Sequence, residues 1–349
     1  PLTGDNSNLG KQIISATRLA VKDINSNKIE IYPKDTQSNP DITLQSALEL
    51  KQLGVNLIIG PIFHKNLVYL DEVEDVTFLS FTNKTLDLPK NIISTGINSV
   101  SQLNTIKKFI ELNEIKKTIF LIPNLNYDLE IKQGIKKSKI KPFKQYYYDI
   151  EPTKLTKKIE KITNYEVRKQ NLIDEINRLE KSEDPNKERK IKNLKKRYSI
   201  GNVNFDSIII ADFDKSLKSV VTSLLYTDVS PKNKYFITFN QWFDKSLLNE
   251  TSSHPIYYPS INKKNLEDFE KKFFKKFNQN PNHISLLSYD LVGLIYYLSL
   301  KNELSQINKA FSAKNSFKGK IGIFDIENNK INHRLNFYKI ENGSLIEIF

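Results

Sequence analysis

Short apolar runs that alternate with helix-periodic stretches constrain this chain more than any other feature. Residues 55–61, Val-Asn-Leu-Ile-Ile-Gly-Pro, read as a buried strand ended by Gly-Pro, and residues 118–123, Thr-Ile-Phe-Leu-Ile-Pro, repeat the pattern. A strand buried on both faces is a continuous apolar run, because neither side meets water. Further short runs predict strands at 29–32, 76–80, 143–148, 205–211, 235–238, 321–324, 335–340 and 345–349. Between them, apolar residues recur at three- and four-residue spacing over 11–25, 41–53, 65–71, 101–112, 128–139, 215–225, 262–278 and 284–300, which predicts helices. Such alternation predicts an α/β protein with parallel sheets covered by helices. Ligand positions are then expected in the loops after the carboxyl ends of the strands.

The 349 residues suggest two domains, and a second α/β series begins near Lys117. Its continuity is broken over 153–198, a stretch dense in Lys, Glu, Arg and Asn. Leu172, Ile176 and Leu179 fall at helical spacing, as do Ile191, Leu194 and Tyr198, with a turn over 182–186. The reading is a charged hairpin of two antiparallel helices whose narrow apolar seams keep it out of the core. Nothing repeats in the sequence beyond the two similar lobes.

Several function classes are excluded by what is missing. Zero cysteines remove disulfides, thiolate metal sites, iron–sulfur clusters and cysteine nucleophiles. Zero methionines include the initiator, so a mature chain that has lost a targeting segment is expected. No run approaches the roughly 18 uninterrupted apolar residues of a membrane span. The net charge of +13 would suit a polyanionic partner. Its carriers are almost all Lys, however, with Arg only at 18, 168, 178, 189, 197 and 334. Lys is a solvated point charge, whereas phosphate forks and base reading favour Arg, so no nucleic-acid partner is expected. The four histidines, at 64, 254, 283 and 333, lack metal-binding spacing, and no metal or cofactor is expected. Phosphate-loop, nucleophile-elbow and dinucleotide motifs are absent. The pairs Asp71/Glu74 and Asp212/Asp214 read as solvated surface rather than acid–base dyads, so the expectation is no catalytic residue and no enzyme.

Three loops at predicted strand ends remain. The opening loop carries Gly4, Asp5, Asn6 and Ser7 into a helix, where backbone N–H groups can meet a polar ligand. The second is Gly60-Pro61-Ile62-Phe63-His64. The third, after the strand at 76–80, carries Thr82, Asn83, Lys84 and Thr85.

These loops are where the chain resembles a family. Pro1-Leu2-Thr3-Gly4, Gly60-Pro61 and Ser80-Phe81-Thr82-Asn83 are similar to the type I periplasmic-binding fold of leucine/isoleucine/valine-binding proteins. Ser288-Tyr289-Asp290-Leu291-Val292-Gly293-Leu294 and Phe317-Lys318-Gly319-Lys320-Ile321-Gly322-Ile323-Phe324 add to this over essentially the whole chain. Within that superfamily the Leu-Ser-Phe-Thr-Asn string at 79–83 and the charged insertion resemble the penicillin-binding-protein activator branch of proteobacterial lipoproteins.

The resemblance implies a first lobe of residues 1–116 plus 257–331 and a second of 117–256 plus 332–349, with the 153–198 insertion in the second. It implies a cleft lined by Gly4, Asp5, Asn6, Ser7, Phe63, His64, Thr82, Asn83, Lys84, Thr85, Tyr127, Phe213 and Asn240. Amino-acid binders of this kind hold the ligand carboxylate with hydroxyls of the first lobe and its ammonium with an acid of the second. By this resemblance the serine position is His64, the threonine position Lys84 and the acid position Asn240. Tyr127 matches a cleft tyrosine, with Asp128 replacing the usual following glycine, and Phe213 stands where another tyrosine is common. Without a carboxylate partner, an α-amino acid would bury an uncompensated charge at a cost of several kcal/mol, and Lys84 would instead favour a small polar or anionic ligand. The implied function is a non-enzymatic cell-envelope regulator of peptidoglycan synthesis whose partner is a penicillin-binding protein. It would be periplasmic, held to the outer membrane of a Gram-negative bacterium through a removed lipid anchor. The alternative is a solute-binding protein that serves an ABC permease with altered ligand specificity.

Overall fold

The computed structural model of the chain describes residues 1–301 and 307–349. They form two compact units, Pro1–Gln102 with Ser260–Asn336 and Leu103–Pro259 with Phe337–Phe349. The chain therefore changes unit after Gln102, Pro259 and Asn336, against the expected 116, 256 and 331. The first change falls inside helix α3 (Ser99–Leu112), whose Leu103, Ile106 and Phe109 belong to the core of the second unit. A continuous helix leaves no break in composition to mark a boundary.

In chain order, α1 (Ser7–Ile24) and α2 (Pro40–Gln52) precede three short parallel strands, β1 (Leu57–Ile59), β2 (Thr77–Ser80) and β3 (Ile92–Ser94). Asn39 starts α2 by accepting from Asp41 N and Ile42 N, with Pro40 in the first turn, the arrangement that satisfies free amides at a helix start. The expected helix at 65–71 is two 3-10 turns, His64–Leu67 and Leu70–Glu72. Leu67, Leu70 and Val73 pack with Ala47 and Phe78 in a core beneath the sheet. Residues 29–32 are not a strand: Ile31 and Tyr32 are 36% and 49% exposed, and apolar side chains left in water give no drive to pair.

The second unit follows α3 with β4 (Thr118–Pro123), α4 (Asp128–Ser138), β5 (Lys144–Tyr148), α5 (Pro152–Ile162), α6 (Tyr165–Glu180), α7 (Lys187–Leu194), β6 (Ser207–Ile210), α8 (Asp214–Tyr226), β7 (Tyr235–Thr238), α9 (Lys245–Asn249) and β8 (Ile256–Ser260). Next come α10 (Lys263–Phe277), α11 (His283–Lys301), α12 (Ile307–Ala310), β9 (Asn315–Lys318), β10 (Ile323–Glu327) and β11 (Lys330–Arg334), then β12 (Asn336–Glu341) and β13 (Ser344–Glu347). One seven-stranded sheet runs β13-β12-β8-β7-β6-β4-β5. Neighbours from β5 to β8 pair in parallel, and β12–β13 is an antiparallel hairpin. Ile208 and Ile210 face one helical layer and Ile209 the other, so both faces of β6 are core, as its continuous apolar run requires. In the first unit, β9, β10 and β11 form an antiparallel sheet.

Helix α11 is long and apolar enough to cross a membrane by length and composition, and half of it is buried within the protein. It packs on α1, where Ser288 Oγ lies 2.8 Å from Thr17 Oγ1. Such internal satisfaction of hydroxyls is that of a core helix.

The insertion departs from expectation. It holds three helices, not two, and the first is part of the core: Leu155 and Ile159 on α5 are 1% and 0% exposed and pack with Tyr148, Leu217 and Val221. They sit four residues apart among lysines, so a two-residue seam conceals full burial. Arg168 on α6 fastens the segment further, donating to Thr227 O at 2.8 Å and to Gly201 O at 3.1 Å.

Candidate functional site

In the first unit, the second and third loops are brought together at the ends of β1 and β2. Gly60 N donates to Leu79 O at 2.9 Å and Phe81 N to Pro61 O at 3.1 Å, and Ser80 Oγ donates to Pro61 O at 2.9 Å. The third loop is then tied to the end of β3: Ser94 Oγ donates to Thr82 O at 2.6 Å and Thr95 Oγ1 to Ser80 O at 2.7 Å. Thr82, nearly buried, accepts from Lys84 N through Oγ1 at 3.2 Å. These hydroxyls hold the loop's own backbone. Phe63, His64, Lys84 and Thr85 are half-buried beside them and Asn83 is exposed.

A beta carbon on Gly96 would lie 2.7 Å from Thr82 O, 2.8 Å from Phe81 O and 2.9 Å from Asn83 N, all backbone atoms. Gly96→Ala is therefore expected to displace the third loop and to cost about 1–3 kcal/mol, read as a lower unfolding midpoint; an unchanged midpoint would show that the loop yields freely.

The opening loop is anchored elsewhere. Asp35 accepts from Leu2 N and from Thr3 Oγ1, both at 2.6 Å, and Asn6 donates to Ser38 Oγ at 3.2 Å. Although its partial burial works the other way, donation from these groups draws the Asp35 carboxyl down to about 2. Gly4, Asp5 and Asn6 are exposed and Ser7 half-buried. Gly4 takes φ +71°, the left-handed conformation that the turn into α1 uses and that glycine adopts without strain.

In the second unit, Tyr127, Phe213 and Asn240 stand at the ends of β4, β6 and β7. Tyr127 and Phe213 meet edge to face with ring centroids 6.3 Å apart. Asn240 is buried, and its Oδ1 accepts from Trp242 N at 3.0 Å. The group around which this corner is organised is Asp212. Read from sequence as solvated, it is 3% exposed. Tyr148 Oη donates to its Oδ2 at 2.6 Å, Phe213 N to its Oδ1 at 2.9 Å, and Tyr127 Oη approaches Oδ1 at 3.5 Å. Thr238 Oγ1 and Gln241 Nε2 donate to its carbonyl at 3.2 and 3.3 Å, which ties β7 to β6. Burial pushes the Asp212 carboxyl up despite these donors, and burial beside it also raises the Tyr127 and Tyr148 phenols. The missed signal was position: Asp212 follows Ile-Ile-Ile-Ala at a buried strand end, where a carboxylate is sheltered rather than solvated.

Next to this corner, Trp242 and Phe243 have φ of 49° and 59°, a backbone region that costs non-glycine residues about 1–3 kcal/mol and concentrates at ligand clamps and switches. Trp242 is the chain's single tryptophan.

Among the described residues, no three His, Asp or Glu side chains gather around a point that a metal ion could occupy. His333 is buried in the first unit, with Nε2 2.8 Å from Thr95 O.

The sequence matches no protein-family model, and no curated protein matches it in sequence. Solved structures match it in shape. A putative branched-chain amino acid ABC transporter protein from Rhodospirillum rubrum is similar at TM-score 0.73 and 13% identity, over 100% of this chain and 97% of that one. The LpoA C-domain from Haemophilus influenzae, described as a regulator of PBP1A, is similar at TM-score 0.67 and 13% identity, over 100% and 98%. A leucine-bound ABC transporter substrate-binding protein from Desulfitobacterium hafniense is similar at TM-score 0.64 and 12% identity, over 96% and 95%.

Proposed function

We propose that this chain, which has the type I periplasmic-binding fold, is a non-enzymatic regulator of peptidoglycan synthesis that acts by binding a penicillin-binding protein in the periplasm, anchored to the outer membrane as a lipoprotein. The observation that carries this reading is that the polar groups an α-amino acid needs are already engaged. Asn240 Oδ1 accepts from Trp242 N, Thr82 Oγ1 accepts from Lys84 N while Ser80 Oγ donates to Pro61 O, and Asp212 is shut in by donors of its own unit. Neutralising an ammonium would require a carboxylate freed from those donors, which leaves buried groups unpaired at about 1–3 kcal/mol each.

The second reading is a solute-binding protein for an ABC permease with altered specificity. It is favoured by Asp212 itself, an acid sheltered between two tyrosines at a strand end, and by the strained Trp242–Phe243 pair. In this reading Gly4–Ser7, Phe63, His64, Thr82–Thr85, Tyr127, Phe213 and Asn240 would contact a small polar or anionic ligand.

Thermal unfolding with leucine, isoleucine or valine, read together with binding to a penicillin-binding protein, separates the two. A ligand at 100 times its dissociation constant stabilises a fold by about 2.7 kcal/mol. No shift in the unfolding midpoint and no change in Trp242 fluorescence are expected. Binding of the purified chain to a penicillin-binding protein, with increased glycan synthesis, is the expected positive result. A leucine-dependent shift that Asn240→Ala abolishes would overturn the regulator reading and restore the transporter one.

A further inference from the structure

We propose that residues 187–198 form a docking surface for an anionic lipid bilayer, a membrane contact separate from any lipid anchor and independent of which protein partner the chain has. Residues 187–197 hold seven basic side chains and one acidic one, a concentration that general Lys richness does not produce elsewhere in the chain. Helix α7 buries none of its residues. Lys190 pairs with Asp184 and Lys187 donates to the carbonyls of Glu180 and Ser182. Arg189, Lys192, Lys195, Lys196 and Arg197 are all exposed and, among the described residues, form no ion pair.

The patch ends in aromatics held in place. Tyr198 is 61% exposed and Tyr226 44%, with ring centroids 6.4 Å apart. The backbone there is fixed, since Asp228 Oδ2 accepts from Tyr198 N at 2.9 Å and from Ser199 N at 2.6 Å. Amphipathic rings beside a cluster of basic side chains match the headgroup layer of a bilayer, where tyrosine places its ring among lipid and its hydroxyl in water. Exposed lysines on α7 and in the turn that follows it attract a diffuse sheet of negative charge, whereas a discrete phosphate would want a fork of arginines in a pocket. Electrostatic attraction of this kind is worth about 1 kcal/mol for each basic residue near the surface.

The test is co-sedimentation of the full chain with vesicles of phosphatidylcholine alone and of phosphatidylcholine mixed with phosphatidylglycerol. Binding to the mixed vesicles only, weakened by salt, is expected. Each of Lys192→Gln, Lys195→Gln and Lys196→Gln should weaken it about fivefold, the change that corresponds to the energy of one such charge, with Tyr198→Ala reducing it further and Lys271→Gln, an exposed basic residue on α10, leaving it unchanged. These surface substitutions leave the core intact, and circular dichroism verifies that each variant is folded. Equal binding to neutral vesicles, full retention by the variant lacking all three lysines, displacement by millimolar inorganic phosphate, or equally tight capture of duplex DNA or polyglutamate would each overturn the proposal.

Discussion

Unfolding of the Ile159→Ala variant is expected to show the second unit destabilised by about 2–5 kcal/mol, the range for removing a fully buried aliphatic side chain. Ile159 is 0% exposed and packs with Leu155, Leu217 and Val221 between α5 and α8. Ile173 lies one helix further on and is 42% exposed, so Ile173→Ala should stay within about 0.5 kcal/mol. Urea denaturation of both variants, read by Trp242 fluorescence within the same unit, makes the comparison. Equal midpoints would mean that α5 rests on the unit without belonging to its core. The same argument predicts that excision of residues 153–198 removes cooperative unfolding of the second unit, because α5 leaves with it.

The first unit should carry two opposed pH dependences. Asp290, on α11, accepts from Ile321 N through Oδ2 at 2.7 Å, and a beta carbon on Gly319 would fall 2.4 Å from the same oxygen. Burial drives its carboxyl up to about 6. The folded protein then holds a proton that the unfolded chain has released, so this group's contribution falls as pH rises from about 4 to about 6. His333 behaves in the opposite sense. Burial lowers it to about 4, so the unfolded chain binds the extra proton and the contribution rises with pH from about 4 to about 6.5. Each is worth about 3 kcal/mol across its window, and the two nearly cancel in the native protein. Asp290→Asn keeps an acceptor for Ile321 N and removes one limb, so stability should climb steeply between pH 4 and 6.5. Denaturation followed by circular dichroism across that range checks it; a variant curve as flat as the native one would show that Asp290 titrates normally.

How much of this was legible depended on whether neighbours in the chain carry the information. The strands at 118–123, 205–211 and 235–238 were readable because burial on both faces demands an uninterrupted apolar run, and the α/β layering follows from their spacing. The loops after β1 and β2 were readable as strand ends for the same reason. Strand β3 and strand β8 were not, being three and five residues long and carrying no pattern of their own; their place comes from pairing with β2 and β7. Residues 29–32 show the reverse error, an apolar run with no partner to bury it.

At the candidate site, residue types and strand-end positions were set by the sequence alone: His64, Lys84 and Asn240 stand where hydroxyls and an acid would serve an amino acid. What those side chains are engaged with was decided by tertiary structure. Asp212 looked solvated because acids usually are, and it is buried because Tyr148 and Tyr127, 64 and 85 residues away, close over it. Leu155 and Ile159 stand among lysines in a stretch read as a charged hairpin outside the core, and they are core because α8 supplies the opposing face. Local periodicity reports which face of a segment is apolar, but burial, hydrogen-bond satisfaction and the pKa shifts that follow depend on groups brought together from distant parts of the chain.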